Sequence, residues 1–224
     1  MKKTIINILG VFALVTAMVS CKGEQKNETK PTEAQEVAVA EKSAEKFTVD
    51  TANSKLEWLA SKPTENHTGT ISIANGTINI LGSEITGSFV LDMNSINVTD
   101  LEAGKGKEGL EAHLKGTAKE EQEDHFFNVT KYPTAAFEVT GVTEKDGKKM
   151  MQGNLSIRDK KQNIEFPITY NVDGDNMTLS SETFTIDRTE WGVNYGSQSV
   201  FDNLGDKFIN DDIEITIKIA AKKA

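Results

Sequence analysis

Residues 213–219 read Ile-Glu-Ile-Thr-Ile-Lys-Ile, with isoleucine at 213, 215, 217 and 219 and a polar residue at every position between them. Successive side chains of an extended strand point to opposite faces, so this run has one oily face and one wet face. A parallel sheet covered on both sides needs near-continuous apolar strands, which this is not, whereas an antiparallel sheet accepts the alternation directly. Working outward, the same rhythm recurs in Leu56/Trp58/Ala60, Ile71/Ile73, Ile78/Ile80, Phe89/Leu91/Met93, Phe137/Val139, Leu155/Ile157, Ile164/Phe166/Ile168/Tyr170 and Phe184/Ile186. Turns are signalled at Asn75-Gly76, Leu81-Gly82-Ser83, Lys145-Asp146-Gly147 and Asp173-Gly174-Asp175. The reading is an all-β chain of about eight or nine strands, closed as an antiparallel barrel or stacked as a sandwich, over residues 47–224. One stretch, Asp100 to Phe127, breaks the rhythm: Leu110, His113 and Leu114 fall at helical spacing, which predicts short helices across one mouth of the barrel.

The N-terminal region has a different character. Residues 1–20 open on Lys2 and Lys3, run apolar from Ile5 to Val19 and end on the small Ser20, the layout of an export signal that is too short to span a membrane. Met18-Val19-Ser20-Cys21 resembles a loose bacterial lipobox, in which the thiol takes a diacylglyceryl group and becomes the first residue after cleavage. Cys21 is the only cysteine, so a disulfide framework is excluded and lipidation is the expected role. From residue 21 to 46 there is no aromatic residue and lysines and glutamates interleave, a composition that cannot offset its ordering entropy by burial; a flexible tether is expected. These features together predict an exported protein, lipid-anchored in the cell envelope and most simply in the outer membrane. The formal charge of −9 becomes about −11 once Lys2 and Lys3 leave with the signal, and an acidic surface repels phosphate backbones, so nucleic acid is not an expected partner. A homodimer is left open.

Motifs for chemistry are weak. Gly104-Lys-Gly106-Lys-Glu-Gly109 matches the letters of a dinucleotide-binding turn but lacks its strand-turn-helix context, and reads as a loop before the Leu110 helix. His67, His113 and His125 are too far apart in sequence for a short metal-ligand spacing, and Asp173-Gly-Asp175-Asn176 lacks the remaining ligands of a calcium loop. No nucleophile motif is present outside a stray Ser43-to-Lys46 match in the tether. The expectation is therefore no catalytic residues, no metal and no cofactor: a binding protein and not an enzyme. What stands out is the oily strand face itself. Barrels of about eight strands are filled by their own side chains or hold one small apolar ligand, and both outcomes give the same alternation.

Beyond rhythm, particular words carry a resemblance. Phe47-Thr-Val-Asp50 with Ser54-Lys-Leu-Glu-Trp58, then His67-Thr-Gly69, Gly87-Ser-Phe89 with Leu91-Asp-Met93, His113-Leu114, Phe126-Phe127 leading through Tyr132-Pro133 to Phe137, and Gly153-Asn-Leu155-Ser-Ile157 before Phe166-Pro167 occur in the order found in the YceI-like family of exported, lipocalin-like, polyisoprenoid-binding proteins. The segment from Thr185 through Arg188 and Trp191 to Tyr195 is similar to that of lipoprotein members. Two departures stand out: the lipobox leader, and the charged insert Gly116–Asp124 between Leu114 and Phe126, which lies where ligand choice would be set.

The resemblance implies a lipocalin-like antiparallel β-barrel holding an isoprenoid-type lipid, such as a polyprenyl chain or a quinone tail. Alternation then places Trp58, Phe89, Leu91, Met93, Phe137, Leu155, Ile157, Phe166, Ile168, Phe184 and Ile186 along the inward faces, with Leu114, Phe126 and Phe127 near the lid. The alternative is a barrel with a filled core, acting as an interaction or stress-response module of the envelope. Arg188, at an apolar strand end, needs an anion; a structural ion pair to Asp202, Asp206 or Asp212 is expected ahead of a role at a ligand head group.

Overall fold

Each alternating segment forms a strand in the computed structural model, which describes residues 27–224; the leader and Cys21 lie outside the described residues. In chain order the elements are β1 (Thr32–Glu33), β2 (Glu45–Val49), β3 (Lys55–Lys62), β4 (Glu65–Leu81), β5 (Glu84–Val98), helix α1 (Lys107–Lys115), β6 (Thr134–Lys145), β7 (Lys148–Ile157), β8 (Lys160–Asp173), β9 (Asn176–Ser181), β10 (Phe184–Asp187) and β11 (Asp212–Lys223). Strands β3 to β9 pair in succession, β9 pairs with β11 and β11 returns to β3, every contact antiparallel. The result is a closed eight-stranded barrel, and closure removes most of the open edges that a sheet of this length would otherwise expose, apart from a gap between the start of β8 and β10. Strand β2 continues the wall beyond β3, pairing with both β4 and β11, and β10 continues it beyond β9 along β11.

The two ends differ. Tight turns at Gly82-Ser83, Asp146-Gly147 and Gly174-Asp175 close one end, where the inward side chains of Phe47, Ile78, Ile85, Val139 and Met177 are all but fully buried and pack as solid core. The other end carries the long connections 99–133 and 188–211. Here α1 is clipped to the end of β5: Lys107 Nζ donates to the Val98 carbonyl (2.6 Å) and to Asn97 Oδ1 (2.8 Å), and the Val98 amide donates to Glu111 Oε1 (2.8 Å). The expected short helices are thus α1 and a 3-10 turn at Glu120–Gln122, both within the predicted interval. The glycine-rich run supplies Gly106, left-handed at φ 100°, as the residue before the helix. Gly116 ends it at φ 72°, where a Cβ would overlap the Glu123 carbonyl oxygen.

Two sequence expectations change. Asn75-Gly76 is not a turn: β4 runs straight through it as one 17-residue strand. The register slips by one between Ile73 and Asn75, so two consecutive residues face outward and the inward set moves from Ile71 and Ile73 to Gly76 and Ile78. Glycine is required at 76 because a Cβ there would stand 2.8 Å from the Val49 side chain and 2.9 Å from the Phe89 ring.

The expected tether is also shorter than its composition suggests. Residues 27–38 lie along the barrel wall: Glu28 bridges Thr185, β1 pairs with β8, Gln35 exchanges two bonds with the Asn154 side chain (2.9 and 2.7 Å), and the Ala38 amide donates to the Val139 carbonyl. The cause is the wall itself. Between β9 and β10 the chain steps away from β8, leaving backbone groups of β8 and β10 without a neighbouring strand, and buried or half-buried peptide groups must find partners.

Candidate functional site

The mouth half of the barrel is hollow. An apolar cavity of about 150 Å³ occupies it, bounded by inward residues from all eight barrel strands and from β10. Of the side chains expected to line the interior, Trp58, Phe89, Leu91, Met93, Phe137, Leu155, Ile157, Phe166, Phe184 and Ile186 do so, and Leu114, Phe126 and Phe127 close over the mouth as expected. Ile168 does not: it is buried one inward position beyond Phe166, towards the solid end. Ile213, Ile215, Ile217 and Ile219 all face the cavity, as do Leu56, Ile71 and Ile73. Their alternation was visible in the sequence, whereas Val193 and Ile209 come from the 188–211 connection, where no period betrays them.

Glycines shape the walls. A Cβ at Gly69 would overlap the Trp58 ring, and one at Gly153 would overlap the Phe137 ring, so each indole or phenyl face lies flat on a neighbouring strand instead of projecting across the cavity. Phe137 meets Phe166 with ring centres 5.4 Å apart, and Phe166 stacks on Phe184 at 4.3 Å and 7°. This aromatic belt forms one wall. Met93 and Met151 supply deformable side chains.

Among the described residues, Arg188 is the one charged residue that borders the cavity. It is 2 % exposed and its guanidinium donates to the carbonyls of Val193 (2.6 Å), Ile209 (3.1 Å) and Asn210 (3.2 Å) and to Asp211 Oδ1 (3.2 Å). The ion-pair partner is therefore Asp211 and not Asp202, Asp206 or Asp212; Asp212 lies opposite Asp187 in the β10–β11 ladder. Burial pushes the Arg188 pKa down while Asp211 and Asp187 hold it up. Asp211 Oδ2 in turn accepts from Ser197 (2.9 Å) and Ser199 (2.7 Å). The arginine thus ties both ends of the 188–211 connection together. Below it the Trp191 indole N–H donates to the Leu155 carbonyl at 2.9 Å.

Above Phe126 lies a half-buried aromatic layer. His113 Nε2 and His125 Nδ1 are 2.8 Å apart, Tyr195 stacks on His125 at 4.0 Å, and His113 meets the Phe126 and Tyr195 rings edge-on, each at 5.1 Å. Desolvation, then the nearby His125, holds the His113 pKa below the usual imidazole value. The layer joins α1, the residues just after the insert and the 188–211 connection into one cap. His67 is elsewhere, hydrogen-bonded to Asp100 at 2.9 Å. Among the described residues no three His, Cys, Asp or Glu side chains are gathered to hold a metal ion.

The geometry can be set beside known proteins. The model of the YceI-like domain matches residues 47–221. No curated protein matches. Among solved structures, BcnA of Burkholderia cenocepacia superposes with a TM-score of 0.58 at 19% identity, covering 78% of this chain and 99% of that one. A polyisoprenoid binding domain from Saccharophagus degradans, implicated in plant cell wall breakdown, gives a TM-score of 0.54 at 13% identity, over 80% of this chain and 98% of that one. At these identities the two structures speak for the fold, a lipocalin-like antiparallel barrel. The family match spans the barrel from Phe47 on β2 to Ala221 on β11, and the chain belongs to the YceI-like family.

Proposed function

We propose that the barrel binds the apolar chain of an isoprenoid-type lipid, a polyprenyl chain or an isoprenoid quinone, with its tail in the hollow half and its polar end at the cap. The observation that carries this is the cavity: about 150 Å³ enclosed by aliphatic and aromatic side chains, a size and lining that in proteins stays dry and takes up apolar molecules. Burial contributes about 0.8 kcal/mol per methylene-sized group, hence roughly 4 kcal/mol for a five-carbon unit. Association costs of roughly 4–15 kcal/mol then require several units, more than a cavity of about 150 Å³ holds as it stands, so a long chain enters with repacking of the lining. Met93 and Met151, unbranched and flexible, are the lining side chains best suited to repack around it. The Saccharophagus neighbour, named for polyisoprenoid binding, supports the same ligand class. In this reading the chain is exported, anchored through a lipid on Cys21 in the outer membrane, and carries, stores or sequesters the lipid beside the bilayer that supplies it; no reaction is catalysed.

The test is native purification of residues 22–224 from a bacterial host, organic extraction, and mass spectrometry of what is released. A stoichiometric isoprenoid supports the proposal. An empty protein that also refuses added quinones and polyprenols overturns it in favour of an envelope interaction module.

A further inference from the structure

Large apolar side chains that stay exposed are few on the described surface, and they are unevenly placed. Leu81, Val172 and Val39 come from three separate segments near the solid end, whereas Tyr195, Val200 and Phe201 fall within seven residues of one another at the mouth, 38%, 46% and 49% exposed. Exposed apolar groups clustered in this way mark a contact surface, whereas scattered ones need no explanation.

The loop that bears them is built, not slack. Ser197 is fully buried and bonded to Asp211, the Phe201 amide donates to the Ser197 carbonyl, the Ile209 amide donates to the Gly196 carbonyl, and Arg188 holds the loop's base. Its underside contributes Val193 and Ile209 to the cavity while its tip presents Val200 and Phe201 outward. One loop therefore faces both the hollow and the outside.

The described chain starts on the wall below this loop. Asn27 is six residues after Cys21 and is fixed to Thr183 and Thr185, beside the strand that runs directly into this loop. Six residues reach about 20 Å when fully extended, so a lipid on Cys21 holds Asn27, on the wall below the mouth, within that distance of a bilayer. We infer that the tip around Val200 and Phe201 inserts into the headgroup region of a bilayer, docking the cavity mouth on the membrane so that an apolar ligand enters or leaves without crossing water. This deepens the lipid-binding reading and rests on it. Asp202 and Asp206 beside the tip favour a zwitterionic surface over a strongly anionic one.

The experiment uses residues 22–224, which lack the acyl anchor, and vesicles of phosphatidylethanolamine with a minor share of phosphatidylglycerol. Flotation should show partition at millimolar lipid that drops about tenfold in the V200S/F201S double variant, with an unchanged melting temperature and unchanged lipid content after prolonged loading. Uptake of a quinone from the same vesicles should slow by a similar factor. As a direct probe, F201W should shift its emission to the blue on vesicle addition. Equal partition and uptake rates in wild type and double variant, or no emission shift from F201W, overturn the docking inference while leaving the carrier reading intact. Vesicle partition by a protein that never takes up lipid overturns the carrier reading and, with it, the purpose assigned to the docking. Loss of a homodimer in the double variant without any vesicle binding assigns the patch to self-association and overturns the inference.

Discussion

Replacing Arg188 with methionine isolates what the buried charge does. Methionine keeps most of the apolar stem and removes the guanidinium, so packing against the cavity changes little while four donated bonds disappear. Three of the acceptors are backbone carbonyls, and a buried acceptor stripped of its donor costs about 1–3 kcal/mol. Asp211 loses one partner but keeps Ser197 and Ser199, which limits the electrostatic loss. Some of the freed carbonyls relax towards water at the mouth, so the sum falls near the range for breaking a buried pair, about 3–5 kcal/mol. For a chain of this size each kcal/mol moves the melting temperature by about 2–4 °C, which gives a fall of roughly 6–20 °C. The assay is thermal and urea unfolding of residues 22–224 in wild type, Arg188→Met and Arg188→Lys, the lysine variant lying between because one ammonium cannot serve four divergent acceptors. A fall of less than about 3 °C together with reduced lipid content would refute the structural assignment and make Arg188 a head-group contact.

Three further outcomes are expected. Ala135→Phe places a ring in the cavity from a wall position that is 3% exposed, so lipid content should fall at least about tenfold while stability changes by no more than about 1–3 kcal/mol, checked by extraction and urea unfolding. The folded-state pKa of His113 is depressed, so its neutral form stabilises the cap above the ordinary value of about 6.5 and that contribution is lost as pH falls through the folded pKa. Melting temperature should therefore drop below pH ~6.5 more steeply in wild type than in His113→Gln. Truncation to residues 45–224 removes the Thr29, Gln35 and Ala38 bonds to the wall and should cost roughly 2–4 kcal/mol, or about 5–15 °C in a melting curve; no change would mean that the N-terminal segment does not hold the wall.

How much of this was legible in the sequence follows from which interactions leave a period. Inward and outward positions on a strand are fixed by parity, so Ile213 to Ile219 announced their own orientation and the lining of β3, β5 and β10 followed from the same count. Parity fails where a residue is inserted. The slip between Ile73 and Asn75 in β4 disguised one long strand as two strands and a turn. Asp211 could not be told from Asp212 because it lies just beyond the ladder, where alternation no longer governs direction. The N-terminal segment was misjudged for a different reason: composition measures what a segment can bury, and this one is held chiefly by backbone bonds and two asparagine contacts, which composition does not record. Whether the barrel was hollow depended on side-chain size at each inward position, and period carries no information about size.

That last point bears on function. The barrel divides its interior: Phe47, Ile78, Ile85, Val139 and Met177 make a solid core at one end, while Ala60 and Ala135 leave room at the other. A void costs about 24 cal/mol per Å³, so 150 Å³ left empty costs roughly 3–4 kcal/mol. Larger aliphatic residues at 60 and 135 would reduce it with no change of fold, since both positions already face inward on regular strands. The chain instead keeps small residues there, lays Trp58 and Phe137 flat over Gly69 and Gly153 so that their rings line the space without crossing it, and caps the result with Leu114, Phe126 and Phe127. Each of these choices maintains the hollow at a cost to the empty protein, and an apolar chain filling it would return that free energy on binding. The solid end is what allows it: Phe47, Ile78, Ile85, Val139 and Met177 stay packed whether the hollow is empty or filled.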